Sequence, residues 1–498
     1  MAGIRSLVKD TAIYGLSSIV GRFLNWMLVP LYTIMFPVDE YGVVTYVYSV
    51  VALVMVVLTY GLETGFFRFA NHEKWKDAQE VYSTCLVSLA VSSTVFVAGV
   101  ACAIVPVTRW MECTGHPEYV MMMAVCVAVD AFLSVPYAWL RYKRRPMRFA
   151  SIRLVNIGVN IGLNLFFILL CPRLMESAPW TVDWFYDPDF GIGYIFLANL
   201  LASLVNLAMM FTDYTGFRYR FNVRLWREIM AYSLPLLVLG IAGIMNQTID
   251  KIIYPYLVPD HAEAMYGLGI YGANYKIAVI LLVFLQAFRF AYEPFIFARN
   301  KEGGDRMKSY RDAMKYFIIF ALFIFLGVMY YLDILRYFIS PRYFSGLRVV
   351  PVVMLGELFF GIFFNLSIWY KLTDHTSYGA WFSLMGLAVT VTLNVILVPR
   401  IAYMGCAVAA MCSYATMMVV SYLMGNRRFP VGYPLGRIGF YFLLAAVLYA
   451  IGVYGVAWLG AGHVAEWAMR AVLMCAYVLV VFKVERLRVS DLIPRHRA

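Results

Sequence analysis

Residues 11–36 read TAIYGLSSIVGRFLNWMLVPLYTIMF, a run in which Arg22 is the sole charge. The run exceeds the roughly 20 apolar residues that cross a bilayer core as a helix. Arg22 lies about twelve residues in, roughly 18 Å along the helix axis, too deep for its stem to carry the charge to either surface. Ser18, Arg22 and Asn25 are spaced i, i+4, i+7 and share one face, while Leu16, Phe23, Leu24 and Met27 can meet lipid or core. This reads as a spanning helix with a polar stripe. Its length and mid-span arginine argue against a cleaved signal peptide, so it is expected to be retained.

The rest of the chain repeats this character. Of 498 residues, 62% are hydrophobic and 14% charged, too little polar sequence for the shell of a soluble protein. Apolar stretches near 11–36, 42–69, 81–107, 117–140, 151–171, 190–212, 233–258, 266–297, 312–332, 348–370, 378–398, 404–424, 437–459 and 467–483 predict an all-α polytopic membrane protein with about 14 spans. With the N-terminus inside, inside segments hold about 28 of the 41 Lys and Arg, among them Arg141 to Arg145, Arg218 to Arg227 and Arg299 to Lys315. By the positive-inside rule both termini are expected to be cytoplasmic. The net charge of +12 is therefore a matter of topology and anionic headgroups rather than nucleic acid. The eight cysteines form no CxxC or Cys/His pattern, so neither a disulfide framework nor a metal site is expected.

A gapless shift of 230 residues lays Tyr41-Gly42 on Tyr271-Gly272, Glu63 on Glu293, Trp139 on Trp369, Arg141 on Lys371 and Leu163-Asn164 on Leu393-Asn394. Arg22 lands one residue from Lys251. Two copies of a six-helix unit are predicted, 1–215 and 233–430, joined by a cytoplasmic amphipathic linker, 216–232, and followed by a two-helix extension, 431–498. An even number of spans per copy makes the copies parallel, with a cavity between two lobes. Gly158 and Gly162 predict a close helix contact, and Asn156, Asn160 and Asn164 form a row that serves either as interhelical glue or as a sugar-binding wall. Gly240, Gly243, Pro136, Pro235 and Pro294 are candidate hinges.

Charges at membrane depth are costly and mark function. The cations Arg22, Arg68, Lys251, Lys276 and Arg289 suggest a cavity that receives an anion, with Asn25 beside Arg22. Each has a second reading. Arg22 can hold a helix terminus near Pro30, Lys251 can pair with Asp250, Arg289 can pair with Glu293 one turn away, and Arg68 and Lys276 can reach headgroups or water. Glu63, Glu293, Asp250, Asp130 and Glu357 are candidates for proton or sodium coupling, or counter-ions for these cations. No phosphate-cradling glycine loop is present, so no nucleotide or other cofactor is expected.

Lys9 to Ser18, Pro30-Leu31-Tyr32-Thr33, Glu40-Tyr41-Gly42 and Gly61 to Phe69, together with the six-plus-six-plus-two plan, resemble the polysaccharide transporter, or O-antigen flippase, branch of the multidrug/oligosaccharidyl-lipid/polysaccharide exporter superfamily. The resemblance covers essentially the whole chain. It implies a non-enzymatic flippase of the bacterial cytoplasmic membrane. Such a protein moves a polyprenyl-diphosphate-linked glycan from the inner to the outer leaflet by alternating access, alongside polysaccharide polymerase machinery. A diphosphate calls for Arg or Lys in the cavity, in keeping with the cations above. A multidrug exporter of the same superfamily would carry an acid in its first helix, where this chain has Arg22. A glycan polymerase or ligase would need a large external catalytic loop, and the longest here, near 172–189, has no histidine.

Overall fold

The computed structural model describes residues 15, 19–75, 77–111, 113, 115–302, 306–373, 375, 377–455 and 462–486; side chains at 291 and 293–306 lie outside the description, as do Ser18, Glu293 and Pro294 of the sequence reading. Twelve described helices are long and apolar enough to cross a membrane, and two shorter apolar helices join them. In chain order they are α1 Ile19–Met35, α2 Val38–Ala70, α3 Ala78–Cys102, α4 Pro117–Tyr142, α5 Pro146–Ser177, α6 Gly193–Met209 and α7 Val223–Leu257. The series continues with α8 His261–Phe290, α9 Met307–Tyr330, α10 Val349–Leu372, α11 Ser377–Ile401, α12 Tyr403–Arg428, α13 Leu435–Gly455 and α14 His463–Glu485. Each expected span therefore has its helix, although α1 and α6 are short.

Local chemistry sets several boundaries. Proline occupies the first turn of α4 and α5, where its missing N–H leaves no helical hydrogen bond unmade. In α2 the axis breaks at Tyr60 and Gly61, both with left-handed backbone (φ 30° and 72°), and the chain resumes as a helix at Leu62. The Asp77 side chain caps α3 by accepting from the Gln79 N–H. Asn222 caps α7 by accepting from the Leu225 N–H at 3.1 Å. This cap starts the helix inside the expected linker, so 223–232 forms the first turns of α7 and only a short strap connects it to α6.

Two compact units are formed, Met1–Ala273 with Ser377–Ser413, and Asn274–Thr376 with Tyr414–Ala498. In the first, α7 packs along α2 and α11, α3 along α4, and α6 along α4 and α5. The strap is tied to α3: the Arg220 N–H donates to Ser83 Oγ at 2.8 Å and Asn222 Nδ2 to Glu80 Oε1 at 3.0 Å. Beneath it Phe66, Tyr82 and Trp139 form an aromatic core, with the Tyr82 and Trp139 rings stacked at 4.6 Å.

The start of α2 crosses the start of α8 at backbone contact. A Cβ on Gly42 would overlap the Met265 carbonyl, one on Gly269 the Val38 carbonyl, and one on Gly272 the Thr45 hydroxyl. The paired Tyr-Gly positions of the sequence thus include two glycines on which this crossing depends. By contrast, a Cβ on Gly158 or Gly162 would meet open space. The expectation of a close helix contact there is corrected: these glycines lie on an exposed face of α5, and α5 meets its neighbours through Phe149, Ile152 and Phe167 as well as through asparagines.

In the second unit α9 is the spine against which α10, α13 and α14 pack. Buried polar contacts fasten the last two helices at both ends. Lys315 pairs with Glu485 at 2.5 Å, and Tyr441 donates to the same carboxylate at 2.7 Å. At the opposite end Arg470 pairs with Asp333 at 3.0 Å, and Trp467 Nε1 donates to it at 2.8 Å.

Candidate functional site

Arg22 and Asn25 lie on an exposed face of α1. Asn25 Oδ1 accepts from Asn160 Nδ2 of α5 at 3.2 Å, and Arg153 of α5 stands within electrostatic reach of Arg22. Arg22 makes no salt bridge among the described residues. The asparagine row divides by depth: Asn164 is fully buried and accepts from Tyr32 of α1 at 2.9 Å, and Asn156 donates to the Ala202 carbonyl of α6 at 2.8 Å. These two are interhelical glue. Asn160 instead faces the polar stripe through Asn25. Arg153 lies over the Tyr137 ring at 4.5 Å and also senses Asp130, whose carboxylate accepts from Ser203 at 2.9 Å. Arg153 thus interacts electrostatically with both Arg22 and Asp130.

Glu63 forms an ion pair with Arg141, whose guanidinium lies 5.2 Å from the Phe67 ring centroid. Arg68 is exposed and covers the Tyr232 ring at 4.1 Å. In α7 Lys251 is buried and donates to Asp250 at 3.0 Å and to the Gln247 carbonyl at 2.9 Å. Tyr271 of α8 donates to the other oxygen of Asp250 at 2.7 Å. The local ion pair, one of the readings open for Lys251, is among its contacts.

The second unit carries Lys276, Arg289 and Glu357. Glu357 is buried and accepts from Tyr275 at 2.8 Å, next in sequence to the half-buried Lys276. Arg289 and Lys371 both lie against Phe364, at 4.2 and 4.7 Å from its ring centroid. One aromatic ring thus gathers two cations, an arrangement suited to an anion.

Sequence reasoning passed over Arg153, Arg141 and Lys371 as site residues. Arg153 shares the stripe of Asn156 and Asn160, and the 230-residue register pairs Arg141 with Lys371, so both signals were available. No three His, Cys, Asp or Glu side chains come together to hold a metal among the described residues.

The model of the family described as polysaccharide biosynthesis protein matches residues 7–299, more than half of the chain. No curated protein matches in sequence. Among solved structures, the lipid II flippase MurJ in an inward closed conformation superposes with a TM-score of 0.73 at 10% identity, over 95% of this chain and 99% of that one. An inward-facing multidrug resistance MATE family transporter of the MOP superfamily gives 0.65 at 13% identity, over 84% and 94%. An outward-facing conformation of a MATE family transporter gives 0.57 at 14%, over 85% and 95%.

Proposed function

We propose, from the premise that this chain belongs to the polysaccharide biosynthesis protein family and has the fold of MurJ and the MATE transporters, that it flips a polyprenyl-diphosphate-linked oligosaccharide across the bacterial cytoplasmic membrane. The glycan would pass from the inner to the outer leaflet by alternating access, for use by polysaccharide polymerase machinery. The observation that carries this reading is the stripe of α1. Arg22 is exposed at membrane depth, without a salt bridge among the described residues, beside Asn25 and within reach of Arg153. A diphosphate offers oxygens for bidentate guanidinium contacts, and asparagine amides can meet sugar hydroxyls. A multidrug exporter taking cations is disfavoured by the same two guanidiniums. A polymerase or ligase is disfavoured because the external segment between α5 and α6 is short and packs on itself around Phe167, Val182 and Tyr194.

The test is reconstitution in liposomes with a defined lipid-linked oligosaccharide and leaflet-specific detection of its sugar. Protein-dependent appearance of the glycan in the opposite leaflet is expected. Export of organic cations without glycan movement would replace this reading with the drug-exporter one, and glycan elongation would replace it with the polymerase one.

A further inference from the structure

Polar side chains between α1 and α5 form one directed chain of hydrogen bonds. Tyr32 Oη donates to Asn164 Oδ1 at 2.9 Å. Asn164 Nδ2 donates to the Asn160 carbonyl at 2.8 Å and to Asn160 Oδ1 at 3.2 Å, and Asn160 Nδ2 donates to Asn25 Oδ1 at 3.2 Å. The direction is set at Asn164. A backbone carbonyl only accepts, so the side-chain atom facing the Asn160 carbonyl is the amino group, and Oδ1 is left to Tyr32. Asn160 then turns its Oδ1 to Asn164 and its Nδ2 to Asn25. Each amide orients the next. The last, Asn25, is exposed, its Oδ1 is engaged, and its Nδ2 has no partner among the described residues.

Helix packing alone does not call for this chain. Asn394, aligned with Asn164 by the 230-residue register, makes the same bond to the carbonyl four residues earlier, at 2.8 Å. There the chain stops: position 390 is threonine, and Asn394 Oδ1 has no partner. The oriented row belongs to the half of the sequence that carries Arg22. Arg22 precedes Asn25 by three residues on the same face of α1, and Arg153 precedes Asn160 by seven on the same face of α5. Both are exposed, and Arg153 is within electrostatic reach of Arg22. Gly21 lies against Ile157, where an added Cβ would come within 2.6 Å of Cδ1, so α1 and α5 touch beside Arg22. Two guanidiniums and one amide Nδ2 therefore offer donors at one seam.

A phosphate oxygen only accepts, whereas a sugar hydroxyl also donates, and the amide oxygens of Asn25 and Asn160 already accept within the row. We propose that Asn25 is a phosphate ligand, its Nδ2 donating to the lipid diphosphate that Arg22 meets. Asn160, Asn164 and Tyr32 are positioning residues that keep Nδ2, and not Oδ1, towards that phosphate. An Asn25 amide turned over would set Oδ1 against the phosphate oxygens, or onto Arg22 in competition with them. This rests on the flippase reading for the presence of a lipid diphosphate, and goes beyond it in assigning the amide row to phosphate rather than to sugar.

Binding of undecaprenyl diphosphate, which carries no sugar, to the full chain in detergent tests this, with undecaprenol as the phosphate-free control. Asn25→Leu, at an exposed position, is expected to raise Kd for the diphosphate about tenfold, as for one lost hydrogen bond to a charged group, and to leave undecaprenol binding unchanged. Asn160→Leu frees the Asn25 amide to turn onto Arg22 and should raise Kd severalfold. In the Asn25→Leu background the same change should have no further effect, because Asn160 acts only through Asn25. Wild-type affinity for the diphosphate in Asn25→Leu, or an equal loss for undecaprenol, overturns the phosphate role. Additive losses in the double variant overturn the positioning role and make Asn160 a packing residue. Arg22→Ala separates this inference from the reading beneath it. If it weakens diphosphate binding while Asn25→Leu does not, only the assignment of Asn25 falls; if neither does, the stripe is not the diphosphate site.

Discussion

At the scale of single residues, the membrane-depth cations differ in burial: Arg22 and Arg68 are exposed, Lys276 and Arg289 half-buried and Lys251 buried. Arg22 is exposed beside Asn25, whereas Lys251 is held by Asp250 and the Gln247 carbonyl. Opposite outcomes are expected on truncation. Arg22→Ala should lower flipping at least a hundredfold in the liposome assay with insertion and thermal stability unchanged, and Arg22→Lys should recover only part, since an ammonium lacks the planar fork. Wild-type flipping by Arg22→Ala would remove it from the site. Lys251→Ala strands a buried carboxylate and should cost about 3–5 kcal/mol of stability, seen as loss of folded protein on heating in detergent. The double change Lys251→Ala with Asp250→Ala should regain much of that stability. If the double variant is as unstable as the single one, the pair is not what Lys251 contributes.

At the scale of elements, the α2/α8 crossing and the exposed face of α5 make opposite demands on glycine. Gly42 and Gly269 leave no room for a methyl group before the facing carbonyl, while Gly158 and Gly162 face open space. Gly42→Ala and Gly269→Ala should each cost about 1–3 kcal/mol through overpacking, and Gly158→Ala should fall within about 0.5 kcal/mol of wild type. Melting temperatures of the three variants in one detergent decide this. Equal values for all three would mean that the crossing relaxes without strain. The aligned pair Gly42 and Gly272 both stand at this crossing, which gives the Tyr-Gly repeat of the sequence a packing cause. Asn164 and Asn394, another aligned pair, are both fully buried and each donates to the carbonyl four residues earlier at 2.8 Å.

At the scale of the whole molecule two expectations remain open to experiment. If the 230-residue register reflects duplication, residues 11–170 should superpose on 241–400 in an experimental structure, with Glu63 and Glu293 at equivalent places. Unrelated positions for those two acids would make the register accidental. If flipping is driven by protons or sodium, a membrane-depth carboxylate must bind the ion differently in the two access states, because equal affinity shifts nothing. Glu63→Gln and Glu293→Gln are expected to flatten the dependence of flipping on a pH or sodium gradient while substrate binding persists. The Glu63–Arg141 pair offers the rival outcome: gradient dependence kept in both variants would make these acids counter-ions.

The spans, their order and the stations of Arg22, Glu63 and Lys251 along them were legible in the amino-acid sequence. Hydrophobic length and helical period are local properties, and the cost of a charge in hydrocarbon makes each exception stand out. What only the tertiary structure decided is the partner each polar group takes. Arg141 reaches Glu63 across 78 residues of chain, Lys251 folds back onto its neighbour Asp250, and Gly158 is exposed although its spacing to Gly162 fits a helix contact. The start of α7 at Val223 likewise rests on a cap that the surrounding hydropathy does not reveal. The physical reason is that burial and pairing depend on which faces meet, and a helix of given period can present any of its faces to the helices around it.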